Sequence, residues 1–285
     1  MNYRHAFHAG SFADVMKHAI LARILVYQTK KAAPLRFIDT HAGAGRYDLK
    51  SEAARRSPEW RGGIGRLLEA LPPAPIAALL EPYLHAVGAH DESGMPFSYP
   101  GSPAIAQALL RPHDRIALCE AHPEERARLV AALGRDARLS IVGTDGYLAL
   151  NAYVPPKERR GLVLIDPPFE AIDEDKRVER ALAGALRKWP TGTYLAWRPV
   201  RERQADARFL NSVAALKAPN ILRLEIDVGP GPAGAHGQKP LERAGLLVVN
   251  PPHTLSAEAR ALLPWLAALM AREGKALVEW LTEPR

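Results

Sequence analysis

The chain has 285 residues, of which 47% are hydrophobic and 24% are charged, a composition typical of a folded globular protein and not of a disordered one. A total of 38 Lys and Arg against 31 Asp and Glu gives a net charge of +7, which favours a polyanionic partner such as nucleic acid. The single cysteine, Cys119, excludes an internal disulfide and a cysteine-based zinc cluster, and without a signal-like or membrane-spanning run we expect a cytoplasmic protein.

The first element predicted along the chain is a helix at residues 13–30, ahead of the first strand. The eighteen residues at the start are dense in Tyr, Arg, His and Lys, a composition suited to contacts with phosphates and bases. His5, His8, His18 and His41 do not have the carboxylate or cysteine complement that a metal site usually needs, so we expect no metal.

Seven apolar or β-branched runs alternate with helix-like segments, a pattern that predicts a doubly wound α/β sheet. The predicted strands are residues 35–40, 115–120, 139–144, 161–166, 193–198, 222–228 and 246–250. The predicted helices that follow the first strand are residues 102–110, 123–133, 173–189, 202–217 and 256–272. A short Gly/Pro-rich segment, 229–240, joins the last two strands, so we expect that pair to be antiparallel.

A long segment separates the first strand from its crossover helix, which Ser102 and Pro103 mark as starting near residue 102. Helix-like pieces at 64–70 and 76–87 lie within it. We therefore predict a Rossmann-like domain formed by residues 1–47 and 100–285, with an inserted helical subdomain at 48–99.

Three strand ends carry residues suited to a nucleoside cofactor, because open α/β sheets bind ligands beyond the carboxyl ends of their strands. Gly43 and Gly45 follow the first strand, and Glu120 ends the second, where an acid can accept hydrogen bonds from ribose hydroxyls. Asp145 and Gly146 end the third, where a carboxylate could meet an adenine amino group. Taken singly, the glycines could form a tight turn and each acid could be a helix cap or a solvated loop residue.

The fourth strand runs into Asp166-Pro167-Pro168-Phe169. The prolines fix the backbone and remove amide donors, so the turn offers carbonyl acceptors beside the Asp166 carboxylate. Acceptors for the two protons of an exocyclic amine favour its nucleophilic form, and Phe169 offers a face for base stacking, worth roughly 1 to 3 kcal/mol. This motif predicts methylation of an amino nitrogen, with Asp166, Pro167 and Phe169 as catalytic residues.

A second Pro-Pro sequence, Asn250-Pro251-Pro252-His253, also follows an apolar strand. A Pro-Pro pair after a strand is therefore not sufficient to mark an active site in this chain. The first motif has a carboxylate and a carbocyclic aromatic residue, and it follows the three strand ends described above. We interpret the second motif as a rigid turn.

Together these residues resemble the RlmJ family of class I methyltransferases, which methylate N6 of an adenine in 23S ribosomal RNA. The resemblance extends across the chain through segments 3–18, 39–47, 99–103, 166–169 and 191–194. It implies S-adenosylmethionine as methyl donor and a Rossmann-like sheet. The cofactor contacts that it implies, taken with the strand-end residues, are His18, His41, Gly43, Ser102, Glu120, Asp145, Gly146 and Asp166. It places Tyr3 and Lys17 near the substrate entrance, and the basic N-terminus adds Arg4 as an RNA contact.

The family usually has tyrosine where this chain has Phe169, and stacking should survive the loss of the hydroxyl. We expect a monomer acting on 23S ribosomal RNA or on an assembling large subunit, with no membrane partner. Three alternatives remain: methylation of DNA adenine, methylation of a protein glutamine, and a non-catalytic RNA-binding assembly factor. The DNA enzyme would ordinarily carry a larger recognition domain, the glutamine enzyme would usually have Asn in place of Asp166, and the assembly factor would have a broken cofactor site.

Overall fold

The computed structural model describes residues 5–88, 96, 98–216, 218, 220–230 and 240–283. The helices within these residues are α1 Phe12–Thr29, α2 Glu52–Arg56, α3 Arg66–Glu69, α4 Ala74–Val87, α5 Ser102–Leu109, α6 Pro123–Leu133, α7 Gly146–Tyr153, α8 Glu174–Lys188, α9 Arg203–Ala214 and α10 Leu255–Met270. The strands are β1 Arg36–Asp39, β2 Arg46–Tyr47, β3 Tyr99–Pro100, β4 Arg115–Cys119, β5 Leu139–Val142, β6 Gly161–Ile165, β7 Thr193–Pro199, β8 Ile221–Asp227, β9 Arg243–Val249 and β10 Lys275–Thr282.

The main sheet has eight strands within the described residues, in the order β10-β8-β9-β7-β6-β1-β4-β5. Strands β5, β4, β1, β6 and β7 run parallel to one another, and β9 is antiparallel to both β7 and β8. The predicted α/β class and the antiparallel pair are therefore confirmed. Parallel strands with helices on both faces are buried, which explains why β6 has the uninterrupted apolar sequence GLVLI.

The prediction of seven strands omitted β10, which pairs antiparallel with β8 at the edge of the sheet. The sequence of β10, KALVEWLT, alternates only loosely, and all but its first residue are partly buried, so its apolar pattern is weak. Helix α7 was also absent from the prediction. It is eight residues long and begins directly after Asp145, whose side chain caps it.

The sheet separates two apolar cores. One core contains α1, α4, α5 and α10, and the other contains α7, α8 and α9. Twelve of the 18 residues of α1 are buried, including the charged Asp14 and Lys17. Because a helix buried on most sides carries charge only where the charge is paired, we expect both residues to have partners within the fold.

The predicted insertion begins and ends at a small antiparallel ribbon in which Tyr47 pairs with Tyr99. Helix α4 packs against α1 and α5, so the inserted segment is fixed to the helical layer that carries Lys17. The division into domains at 47/48 and 99/100 stays a prediction. Among the described residues, no helix combines the length and apolar character needed to cross a bilayer.

Candidate active site

The parallel strands bring the predicted strand-end residues together at the carboxyl ends of the strands. Because β5, β4, β1 and β6 are parallel neighbours, Asp145, Glu120, the loop after Asp39, and Asp166 all follow carboxyl ends. Residues that are more than a hundred positions apart in the chain therefore lie along a single edge of the sheet, at the position where open α/β folds bind ligands.

Asp166 forms an ion pair with Lys17. The Nζ of Lys17 lies 2.6 Å from Oδ2 of Asp166 and 2.9 Å from Oδ1 of Asp14, and the Lys17 side chain is only 5% exposed. Burial alone would lower the pKa of Lys17, but Asp14 and Asp166 outweigh it and the pKa is raised, so the side chain is a permanent cation. Among the described residues, Lys17 donates a hydrogen bond to Oδ2 of Asp166, and Oδ1 has no hydrogen-bond partner.

Asp14 holds the other side of this ion pair. Its Oδ2 accepts hydrogen bonds from His5 Nε2 at 2.9 Å and from the Gly10 amide at 3.0 Å. Burial would raise the pKa of Asp14, but the neighbouring His5 and Lys17 hold it well below its usual value. The carboxylates of Asp14 and Asp166 thus share one ammonium, and Lys17 is bound to Asp166 at the carboxyl end of β6.

Phe169 and Trp197 form an aromatic wall beside the ion pair. Their rings meet edge to face with centroids 5.5 Å apart, and Lys17 Nζ lies 5.8 Å from the centroid of the Trp197 ring. Phe169 has a φ of +51°, a left-handed conformation unfavourable for a bulky residue and often retained at functional sites. The Trp197 indole N–H is buried without a hydrogen-bond partner in the described part of the chain.

The loop after β1 is organised by Glu120. Its Oε2 accepts the Gly43 amide at 2.8 Å and its Oε1 accepts the His122 amide at 2.8 Å. Each carboxylate oxygen can accept a further hydrogen bond, so Glu120 can hold the loop and still receive ribose hydroxyls. Gly43 and Gly45 have φ of +61° and +77°, a conformation that the loop needs and that favours glycine.

Ser102 and Asp39 form a buried pair at the first strand end. Ser102 Oγ donates to Asp39 Oδ2 at 2.7 Å, and the His41 amide donates to Oδ1 at 3.1 Å. Burial raises the pKa of Asp39 to about 7, in spite of the hydrogen bond from Ser102, and the nearby Asp166 raises it further. Ser102, at the start of α5, therefore reaches the site by way of Asp39.

Both carboxylate oxygens of Asp145 have partners in the structure. Oδ1 caps α7 by accepting the Tyr147 and Leu148 amides, and Oδ2 lies 2.9 Å from Arg177, whose guanidinium stacks on the Tyr147 ring at 4.6 Å. Asp145 is therefore a helix cap in this structure, and an adenine amino group would share the carboxylate with Arg177. A Cβ on Gly146 would lie 1.8 Å from the Thr40 carbonyl oxygen, so the approach of α7 to β1 requires glycine here.

The two predicted histidines are neutral. Burial lowers the pKa of His18 to about 3 and that of His41 to about 4. His18 Nδ1 lies 2.8 Å from the Tyr99 hydroxyl, which in turn lies 2.9 Å from the hydroxyl of Tyr83. Neutral imidazoles can each donate and accept one hydrogen bond, which suits a cofactor with hydroxyl, amine and carboxylate groups.

The second Pro-Pro motif lies at the opposite end of the parallel strands, beside their amino ends. Because β9 is antiparallel to β7, Val249 pairs with Tyr194 near the start of β7. The Asn250 side-chain amide donates to the carbonyl oxygens of Pro190 and Gly192, each at 2.8 Å. Asn250 therefore closes a turn remote from Asp166.

Tyr3 and Arg4 lie outside the described residues, so their predicted RNA contacts stay predictions, and most of the segment 229–240 also lies outside them. The site residues not proposed from the sequence are Asp14, Asp39, Arg177 and Trp197. Two sequence signals mark Asp14: it is a charged residue in an apolar helical stretch, and it lies in the segment 3–18 that carries the family resemblance. Within the described ranges, no group of three or more His, Cys, Asp or Glu is placed to hold a metal ion.

Comparison with known proteins gives concordant matches over nearly the whole chain. The model of the family described as "Ribosomal RNA large subunit methyltransferase D, RlmJ" matches residues 32–282. Two proteins named ribosomal RNA large subunit methyltransferase J are similar: that of Escherichia coli K12 is 38% identical and that of Haemophilus influenzae is 37% identical, each match covering 99% of both chains. The crystal structure of protein LPL1258 from Legionella pneumophila superposes with a TM-score of 0.85 at 33% identity, covering 96% of this chain and 98% of that one.

Proposed function

Because the chain belongs to the RlmJ family of ribosomal RNA large subunit methyltransferases, we propose that it methylates N6 of an adenine in 23S ribosomal RNA, with S-adenosylmethionine as methyl donor. The substrate follows from the family. The observation that carries the chemistry is the Asp166 carboxylate, held by Lys17 at the carboxyl end of β6 with one oxygen available to a substrate.

The donor set at the sheet edge fits the cofactor. Glu120 offers carboxylate oxygens to ribose hydroxyls, and the Gly43 backbone beside it leaves room for a close approach. The proposed contacts of the cofactor are His18, His41, Gly43, Ser102, Glu120, Asp145, Gly146 and Asp166. S-adenosylmethionine supplies an electrophilic methyl carbon bonded to a sulfonium.

The protein positions the amine and accepts hydrogen bonds from it. When bound, S-adenosylmethionine would donate its methyl group to N6, and Asp166 would accept the one N6 proton that must then leave. Oδ1 of Asp166 can accept a hydrogen bond from N6–H and so orient the nitrogen lone pair, while Lys17 contacts Oδ2. Pro167, which has no amide donor, leaves its neighbouring carbonyls free to accept a hydrogen bond from the second N6–H. Phe169 provides the stacking face for the base.

Two sequence features support RNA over the alternative substrates. The first residue of the motif is Asp166, whereas a glutamine methyltransferase usually has Asn there, and the insertion at 48–99 is short for a domain that reads a DNA duplex. A non-catalytic assembly factor is disfavoured because the strand-end elements and the Lys17–Asp166 pair are intact.

The test is to map N6-methyladenine in 23S ribosomal RNA from cells with the gene, without it, and with an Asp166→Ala copy. One adenine should lose its methyl group in the second and third strains and regain it only with the wild-type copy. If every 23S adenine keeps its methylation state in all three strains, the proposed substrate is wrong.

A further inference from the structure

The positive charge of the insertion is concentrated at its beginning. Five cations and three acids occur in residues 46–61, whereas residues 67–100 contain four acids and no Lys or Arg. The five cations are Arg46, Lys50, Arg55, Arg56 and Arg61, and all are exposed. We call residues 46–61 the basic segment. The cation that follows it, Arg66, is engaged in the fold by hydrogen bonds to the carbonyl oxygens of Leu269 and Met270 at the end of α10.

Two of the three acids of the basic segment accept hydrogen bonds. Glu59 accepts a hydrogen bond from His8 at 2.9 Å, and Asp48 accepts the Lys50 amide at 2.7 Å. Glu52 stands in the first turn of α2, where a carboxylate interacts favourably with the helix dipole. The acids are exposed like the cations, but the five cations outnumber them, so the segment presents a net charge of +2.

Contacts with the N-terminal residues place the basic segment beside the active site. The rings of Tyr47 and His5 lie 4.9 Å apart, and His5 binds Asp14, the second carboxylate of Lys17. Just beyond the segment, the Ile64 amide donates to the Gly10 carbonyl oxygen at 2.8 Å. The segment also follows directly from the loop that carries Gly43 and Gly45.

An aromatic platform accompanies the charges. The Arg61 guanidinium lies 5.3 Å from the centroid of the Trp60 ring, and the Trp60 side chain is partly exposed. An aromatic ring stacked with arginine beside phosphate-binding cations is a combination that single-stranded RNA recognition uses repeatedly.

From this charge, exposure and position, we infer that the basic segment binds the phosphate backbone of the substrate RNA on the side of the target adenine. The inference rests on the proposed function and deepens it by assigning a surface to the RNA. Arg46, Arg55 and Arg61 contact phosphates, and α4, which is fixed on α1 and α5, holds the segment in place.

The test compares two triple variants of equal charge change. Arg46→Gln/Arg55→Gln/Arg61→Gln removes three charges from the basic segment. The control, Lys31→Gln/Arg135→Gln/Lys157→Gln, removes three exposed charges from loops that lead into the amino ends of β1, β5 and β6, at the opposite edge of the sheet. Circular dichroism melts check that both variants fold.

Binding of an unmodified 23S ribosomal RNA fragment is measured by fluorescence anisotropy from 50 to 300 mM KCl, and methyl transfer is measured on the same fragment. The slope of log K against log[KCl] should become less negative by about 2 to 3 in the basic-segment variant, because each lost phosphate contact removes about 0.7 to 0.9. Its KM for RNA should rise roughly tenfold at moderate salt, with kcat and the KM for S-adenosylmethionine unchanged.

Equal slopes and equal RNA KM in the two triple variants would overturn the inference. If wild type binds the fragment but transfers no methyl group to it, the proposed function fails, and the anisotropy slopes still decide the RNA surface. Should the basic-segment variant melt early, Arg46→Gln and Arg61→Gln are tested singly, each expected to reduce the slope by about 0.7 to 0.9.

Discussion

Lys17 and Asp166 are 149 positions apart in the chain, and their side chains meet at 2.6 Å. One lies on a helix that precedes the sheet and the other follows the fourth parallel strand, so folding of the whole sheet creates the pair. The ammonium contacts Oδ2 of Asp166 from the side of α1, and the proposed mechanism assigns Oδ1 to the substrate amine. Because the two carboxylate oxygens have different proposed partners, substitutions at Lys17 and at Asp166 test separate roles.

Replacement of Asp166 by alanine should reduce methyl transfer by at least about 100-fold, the lower range for loss of a positioned proton acceptor. The fold should survive because Lys17 keeps its contact with Asp14. Transfer of a labelled methyl group to 23S ribosomal RNA, together with a thermal melt, measures both. Wild-type activity in this variant would rule out Asp166 as the acceptor.

Replacement of Lys17 by glutamine removes the common cation of the buried Asp14 and the partly buried Asp166, so the free energy of unfolding should fall by about 3 kcal/mol. The double variant Lys17→Gln/Asp14→Asn removes one of those charges and should recover part of the stability. Methyl transfer should stay low in both variants because Asp166 has no cation in either. Urea denaturation and activity assays separate the two effects, and full activity in the double variant would contradict a role for Lys17 at Asp166.

Phe169→Tyr should keep most of the activity because the ring face remains, whereas Phe169→Ala should lose stacking worth roughly 1 to 3 kcal/mol, or about 5- to 150-fold in kcat/KM for RNA. His253→Ala is the matched control, since it alters the aromatic position of the second Pro-Pro motif at the opposite edge of the sheet. Equal kcat/KM in all three variants would remove stacking from the mechanism.

Trp197→Phe retains an aromatic ring and removes a buried N–H that has no partner among the described residues. Because an unsatisfied buried donor costs about 1 to 3 kcal/mol, this variant should be as stable as wild type or more so. Trp197→Ala should lose activity because Phe169 loses its edge-to-face partner. A variant Trp197→Phe with wild-type stability but a raised KM for RNA would instead assign the N–H to substrate binding.

Compared with that of the Asp39→Asn variant, the free energy of unfolding of wild type should fall as the pH rises toward neutrality. Burial raises the pKa of Asp39 to about 7 from an ordinary value of 3.8, so the folded state prefers the protonated form. Its contribution is complete below pH 4 and is lost as pH rises through 7, at roughly 1.4 kcal/mol per pKa unit. His18 and His41 act in the opposite sense below pH 6.5. The difference between wild type and Asp39→Asn in urea denaturation from pH 4 to 8 isolates Asp39, and a difference constant with pH would refute this assignment.

Much of the fold could be predicted because its signals are local. The apolar run of β6, the Ser102-Pro103 helix start and the alternation of strands with helices are sequence patterns. Strand β10 was missed because an edge strand with partly buried residues has no strong apolar period. The predicted cofactor contacts of His18, His41 and Asp145 stay predictions, and the capping bonds of Asp145 could not be read from its position at a strand end.

The sequence by itself determined the chemistry available at each strand end: glycines after β1, Glu120 after β4, Asp145 after β5 and Asp166 with Phe169 after β6. The sequence offered no geometric ground for distinguishing the two Pro-Pro motifs. The direction of β9 places Asn250 at the amino ends of the parallel strands, and that direction is set by non-local pairing. Only the tertiary structure brought Lys17 and Trp197 to Asp166. Those contacts depend on how α1 and β7 pack around the sheet, and packing between distant segments leaves no periodic trace in the chain.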